Sequence, residues 1–383
     1  MEKCIVTSVD ELTLVLSPDK AKARDIAGWG KLAEQIIAEF NALAGLEGVF
    51  GKQEKMDGKI PQGYSTAYRY GDNPFYFAAA YHPDHPAMGV IIKFSAYSWR
   101  VYCERRGTDA RGLLLSVKSD LYKSRLSRID FAVDYMDWDM SVDDIYQRLI
   151  GGQLEIRNYK AECSHSRITS YEENGVAGTF YVGSKKTGTR LFLRVYDKKK
   201  EQTEQKGHRL EEALRAESWV RFEAVFKGGY AHQLTDLIMA AGEGGLPDLI
   251  ADKVAEKYRF YDLENKQYTD FTAALMEKPD ASSQRLRLAS PRDNGLANSL
   301  LHLVNGSGLF AILYKCDGIW GGESSKTLLA YLYGRYKKEY VPNDDALLWL
   351  KKHKTEMGKQ TLEDELGLLE DFLAQKTGKG KTG

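Results

Sequence analysis

The sequence predicts an α+β fold, a central antiparallel sheet with helices packed on it, followed by a mainly helical C-terminal region. Three observations lead there. The segments RIDFAVD, TRLFLRVYDK and WVRFEAVFK alternate apolar and charged residues at period two. Residues 64 to 102 are rich in tyrosine, phenylalanine and valine and are punctuated by glycine and proline, as in a set of antiparallel strands. Beyond Lys227 the apolar residues recur at three- and four-residue steps. The expected division is a sheet-bearing domain over 1-230 and a helical region over 231-383.

In chain order, CIVTSVDELTLVL over residues 4 to 16 reads as an opening strand, and KARDIAGWGKLAEQIIAEFNALAG as a helix that stops near Gly45. The aromatic stretch that follows is expected to end in a strand through MGVIIKFSAYSWRVY. Asp109 then opens a helix, DARGLLLSVKSDLYKS, which feeds the RIDFAVD strand. Ser141, with Asp143 and Asp144 behind it, caps the helix SVDDIYQRLI, closed by Gly151 and Gly152. The polar linker EQTEQKGHRLEEALRAES reads as partly helical. Helices are expected through TDLIMAAG, LPDLIADKVAEKYRFYDLE, GLANSLLHLVNGSGLFAILYK and, after residue 342, NDDALLWLKKHKTEMGKQTLEDELGLLEDFLAQ, with a flexible Gly/Lys tail. No internal repeat of fixed period is visible.

The 383 residues include 54 basic and 54 acidic side chains, so net charge alone does not mark a nucleic-acid binder. Distribution does more. Lys185, Lys186, Arg190, Arg194, Lys198, Lys199 and Lys200 fall within one short span that holds only Asp197 and Glu201 as acids, a local electrostatic footprint. The cysteines at 4, 103, 163 and 316 form no CxxC pair and read as isolated thiols. With no secretory signal and no apolar run of membrane-spanning length, the cytoplasm is the expected compartment. His82 and His85 are separated by a proline-containing turn, His165 beside Cys163 is a weak pair, and the terminal GKGKT lacks the first glycine and the following helix of a phosphate loop.

Chemistry concentrates on the three alternating strands. Arg190, Phe192, Arg194, Tyr196 and Lys198 share one face, which is expected to point outward. Arg128, Asp130 and Asp134 share a face of the second strand, and Arg221, Glu223 and Lys227 a face of the third. A tyrosine so placed could attack a phosphodiester. With a free pKa near ~10, presenting its phenolate at neutral pH costs about 4 kcal/mol. Arg194 and Lys198, about 7 Å away along an ideal strand, are expected to lower that cost. Asp130 and Glu223 are the candidate ligands for Mg²⁺ or Mn²⁺. Asp134 is a second choice, because it lies about 13 Å from Asp130 along an ideal strand. Arg194 and Arg221 are the candidate catalytic cations, while Lys185, Lys186, Arg190, Lys198, Lys199 and Lys200 are expected to hold DNA phosphates. The bland alternative is that these charges simply pair with one another, Asp130 with Arg128 and Glu223 with Arg221.

Taken together and in this order, RIDFAVD, YVGSKKTGTRLFLRVYDKKKE and WVRFEAVFK resemble the trans-acting initiators of rolling-circle plasmids, a family that includes phage replication initiation factors and relaxases of small integrative conjugative elements. The corresponding family strands read R-[LI]-D-x-A-x-D, R-[IV]-Y-[ND]-K-x-x-E and R-x-E-x-x-x-K. The resemblance covers roughly residues 5 to 230, making 1-230 the expected nickase domain with a replication-initiator sheet, and leaves 231-383 without a role. It implies Tyr196 as nucleophile, Asp130 and Glu223 as metal carboxylates, origin DNA as partner, and a covalent phosphotyrosyl intermediate that is later rejoined. A host helicase and a homodimer are left open as partners, and no membrane is implied. One departure stands out: plasmid initiators carry a further glutamate in the earlier strand, where MGVIIKF offers only Lys93. A conjugative relaxase and a catalytically inactive DNA-binding regulator are the alternatives.

Overall fold

The computed structural model describes residues 3–18, 26–56, 63–70, 77–163, 167–173, 175–186, 189–277, 285–286, 300, 303, 308–342, 344–358, 361–364 and 366–367. In chain order the elements run β1 (Cys4–Pro18), α1 (Ile26–Ala44), α2 (Leu46–Phe50), β2 (Gln53–Lys55), β3 (Thr66–Tyr70), β4 (Phe77–Tyr81), β5 (Val90–Phe94), α3 (Ala96–Arg106), α4 (Ala110–Ser116), β6 (Tyr122–Met136), α5 (Val142–Ile150), β7 (Leu154–Arg157), β8 (Ile168–Glu173) and β9 (Val176–Val182). There follow β10 (Leu191–Asp197), α6 (Lys198–Glu204), α7 (Leu210–Arg215), β11 (Trp219–Lys227), α8 (Gly229–Ala240), α9 (Leu246–Lys257), β12 (Arg259–Asp262), β13 (Gln267–Tyr268), α10 (Asp270–Met276), α11 (Leu309–Trp320), α12 (Ser324–Glu339) and α13 (Asp344–Met357).

A ten-stranded antiparallel sheet in the order β2-β3-β4-β5-β1-β6-β11-β10-β9-β8 organises the first unit, Met1–Arg287. Its two long strands, β1 and β6, lie side by side at the centre. The period-two pattern sends Leu12, Leu14 and Leu16 of β1, Ile129, Phe131 and Val133 of β6, and Phe222, Ala224 and Phe226 of β11 into one apolar core. Each fully buried Leu or Phe there contributes about 1.5–3 kcal/mol. Against this face pack α8 on β6 and β11, α9 on β1 and β6, and α5 on β9 and β10. Local signals start the helices: Asp109 accepts from the Gly112 amide at 2.8 Å, and Ser141 from the Asp144 amide at 3.1 Å. Gly45 ends α1 in a left-handed conformation, φ 66°, that costs glycine little.

Several expectations are revised. AYSWRVY is not strand but the start of α3, because Trp99 and Tyr102 reach the same core from one helical face and Tyr102 hydrogen-bonds the Ala44 carbonyl at 2.9 Å. The helix through LPDLIADKVAEKYRFYDLE breaks at Tyr258. Its aromatic end becomes β12, which pairs with β7 and β13 in a small second sheet. The first compact unit also runs to Arg287 and not to 230, since α8, α9 and α10 bury their apolar residues in the sheet's core.

The second unit, Leu288–Gly383, contains α11, α12 and α13, with α11 packed on α12. The Pro/Ser-rich break, the end of the last predicted helix and the Gly/Lys tail lie for the most part outside the described residues. No described helix is long and apolar enough to cross a membrane.

Candidate active site

The charged faces of the three motif strands meet on the side of the sheet opposite the apolar core. β10 pairs with β11 so that Arg194 lies opposite Glu223 and Tyr196 opposite Arg221, while β11 pairs with β6 so that Glu223 lies opposite Ala132 and Arg221 opposite Asp134. β1 completes the set from the other flank of β6. A bulge between Val9 and Glu11 inserts one extra residue, and both acids of the Asp10–Glu11 pair reach charged partners on this side.

This face is not open to solvent, as the alternation alone suggested. Tyr196 is 6% exposed, Glu223 3% and Asp130 1%. Burial is possible because every charge has a counter-charge. Arg128 grips Asp130 with two bonds, Nε to Oδ1 at 2.9 Å and Nη2 to Oδ2 at 2.6 Å, and reaches Glu11 through Nη1 at 2.8 Å. Arg221 grips Asp134 at 2.6 and 2.7 Å and turns Nη1 to Asp10. Arg209, from the turn between α6 and α7, adds a third bond to Asp134 at 3.2 Å. Asp134 thus sits in an arginine cluster of its own, apart from Asp130.

Tyr196 stands where these networks meet. Its hydroxyl donates to Glu223 Oε2 at 3.3 Å and accepts from the Lys198 ammonium at 3.5 Å. Arg194 bonds the same Glu223 oxygen and lies 4.5 Å over the tyrosine ring. Cations were expected to lower the phenol's pKa. Instead burial pushes it well above the ordinary tyrosine range, with Glu223 and Asp10 adding to the rise and Arg221 and Arg194 opposing it. Burial also raises the Glu223 carboxyl, helped by Asp10 and opposed by Arg194, and raises that of Asp130 against the pull of Arg128. Lys198 is shifted down by burial and by Arg221.

The predicted DNA-contacting cations divide. Lys185, Lys186, Arg190 and Lys200 are exposed, with Lys185 3.7 Å over the Tyr181 ring and Lys200 paired with Glu204. Lys198 is buried, paired with Glu201 at 2.6 Å, and faces Tyr196 in place of solvent. Lys199 bonds the Ala216 carbonyl at 2.7 Å and so anchors α6. Sequence reasoning missed Asp10, Glu11, His208 and Arg209. The adjacent acids of VDEL, which interrupt the alternation of β1, were the available signal for the first two. The last two come from a polar linker whose path no local pattern encodes.

Mg²⁺ or Mn²⁺ would need open carboxylate oxygens. Glu11, Asp130 and Glu223, on three adjacent strands, have the right hard-donor chemistry. Among the described residues, however, no group of three or more His, Cys, Asp or Glu is arranged to hold a metal ion. Arg128 holds both oxygens of Asp130 and Arg194 holds Oε2 of Glu223, so these two carboxylates as placed do not fit a divalent ion. Lys93, the residue that departs from the plasmid initiators, lies 3.8 Å from Glu11.

Comparison with known proteins bears on the same strands. The structure is similar to that of a rolling circle replication initiator protein from Geobacillus stearothermophilus, at 16% identity and a TM-score of 0.47, covering 74% of this chain and 99% of that one. No curated protein matches. The family model described as replication initiation factor matches residues 124–278. That span contains nearly all of β6 and the whole of β10 and β11, and with them Arg128, Asp130, Tyr196 and Glu223. Over residues 124–278 the chain is therefore similar to the replication initiation factor family.

Proposed function

We propose that the protein initiates rolling-circle replication by nicking one DNA strand with Tyr196, remaining covalently attached and later rejoining the strand. The observation that carries this reading is the hydrogen bond from the Tyr196 hydroxyl to Glu223, a carboxylate that can accept the proton and whose pKa burial raises above the ordinary glutamate value. As Tyr196 Oη bonds to phosphorus, its proton passes to Glu223. The bond from phosphorus to the leaving sugar oxygen breaks, and that oxygen takes a proton from Lys198 or solvent. Arg194 and Arg221, both near Tyr196, would spread the charge of the five-coordinate phosphorus. The phosphoester is retained, so the reverse sequence reseals the strand without a nucleotide cofactor.

Assistance by Mg²⁺ or Mn²⁺ at Asp130 and Glu223 is part of the proposal. It requires Arg128 and Arg194 to leave those carboxylates first, and no step above depends on it. Lys185, Lys186, Arg190 and Lys200 are the exposed cations proposed to hold the strand, which predicts affinity that falls steeply with salt. A second reading, an inactive DNA-binding regulator, is favoured by the arginine-filled carboxylates.

One experiment separates the two readings. The full chain is incubated with a single-stranded oligonucleotide from the origin of the element that encodes it, in EDTA or Mn²⁺, and the tyrosine peptides are analysed by mass spectrometry. A phosphotyrosyl adduct on Tyr196 is expected. DNA binding without any adduct would leave the regulator.

A further inference from the structure

A cavity of about 420 Å³ opens next to the tyrosine, between the first residues of β1, α3, α9 and the turn joining α6 to α7. It shares Asp10 and Arg221 with the surroundings of Tyr196, but most of its wall is not used by the chemistry proposed above. Val9, Trp99, Leu246 and Ile250 supply apolar surface, while Arg100 and His208 are among its polar groups. Most of its exposed wall is apolar, with charged and polar side chains set around it, a make-up that suits a flat, partly polar molecule.

The charges decide what kind of molecule. Arg100, Arg209 and Arg221 line the cavity, but so do Asp10, Glu104, Asp109 and Glu212. The arginines are already engaged: Arg221 with Asp10, Arg209 with Glu212, and Arg100 with Glu104 and, at 3.7 Å, with Glu212. No surplus positive charge remains for a phosphate. What remains is one buried donor, Nη1 of Arg100, which has no acceptor and would gain one from a neutral carbonyl. Of the lining residues, His208 has its ring 5.0 Å from that of the part-exposed Tyr97, which is not itself in the lining, and a further ring can stack on this pair. Burial and Arg100 both hold the His208 imidazole below its usual pKa, which keeps it neutral and suited to stacking.

We infer that this cavity receives the unstacked base of a nucleotide flanking the phosphate that Tyr196 attacks, with the Tyr97–His208 pair and Trp99 contacting its faces and Arg100 its carbonyl edge. The inference rests on the nicking reading, yet it concerns binding and can fail separately. A pocket reading one base would also give the site a sequence preference that contacts to phosphates cannot supply.

The test uses the full chain carrying Tyr196→Phe and single-stranded 12-mers in which one 5-bromodeoxyuridine is walked along the sequence, with irradiation and peptide mapping. Cross-links from one position, or two adjacent positions, to the peptides containing Trp99 or His208 are expected. An abasic site at that position should weaken equilibrium binding about tenfold, and the penalty should vanish in Tyr97→Ala/His208→Ala, whose substitutions lie at exposed or half-buried rings. Cross-links confined to the Lys185–Lys186 stretch, or an abasic penalty that persists in the double variant, would overturn the pocket assignment. A Tyr196 adduct formed by the otherwise unaltered protein in that case would leave the nicking reading intact.

Discussion

Between β1 and β6 the sheet divides into two halves, β2-β3-β4-β5-β1 and β8-β9-β10-β11-β6, each built outward from a 15-residue strand and returning beside it. The connection order is the same in both. If the core-facing pair Leu12–Phe94 is matched with the core-facing pair Phe131–Ala224, the remaining registers align the halves residue by residue. Glu11 then corresponds to Asp130, which is also its direct partner across the junction. Lys93, opposite Thr13, takes the place of Glu223, opposite Ala132. Ile91 takes the place of Arg221, Ala78 that of Arg194, and Ala80 that of Tyr196. Where the second half buries a paired ionic network, the first buries Ala67, Ala80 and Ile91 in a small apolar cluster. One backbone plan thus supports either filling, and the proposed chemistry would belong to side chains that only one half has.

The largest expected contrast is between tyrosines. Tyr196→Phe should abolish the covalent adduct and cut nicking of a supercoiled origin plasmid by several orders of magnitude. Tyr81→Phe on β4, whose hydroxyl bonds Glu34 at 2.7 Å, should leave both intact. Equal losses from the two would break the contrast. Asp130→Asn and Glu223→Gln should each remove the stimulation of nicking by Mn²⁺ over EDTA, read on the same plasmid; stimulation that survives both would exclude these carboxylates as metal ligands.

Stability should separate the halves as well. Arg221→Met strands Asp134 and Asp10 without their main partner and is expected to cost about 3–5 kcal/mol in urea unfolding. The matched Ile91→Val should cost about 1 kcal/mol. If the two costs come out alike, the network is not what holds the second half together. Smallest of all, Lys93→Met should change stability by less than about 1 kcal/mol and leave nicking unaltered, since its contact with Glu11 is long and partly exposed. A large loss of nicking there would give Lys93 a place in the site.

The motif strands were legible because alternation of Leu191, Leu193 and Val195 with Arg194 and Tyr196 needs only local order. The burial of the charged face was not, for it depends on partners far along the chain, such as Arg221 with Asp10 and Arg209 with Asp134. Nor could spacing show that burial outweighs the cations around the Tyr196 phenol. The halves escaped detection as a repeat because the matched positions, Lys93 and Glu223 or Ile91 and Arg221, differ in charge or polarity. The α3 segment misled for a different reason: its aromatic and β-branched residues favour strands, and tertiary packing of Trp99 and Tyr102 overrode that preference.

The pairing of the halves has a practical consequence for anyone altering this molecule. A ten-stranded sheet in which one half repeats the strand order of the other without its tyrosine and arginines at the matched positions carries its own internal reference. Each substitution at the tyrosine's corner can be scored against a substitution at the register-matched position of the other half, in one polypeptide and under one set of conditions.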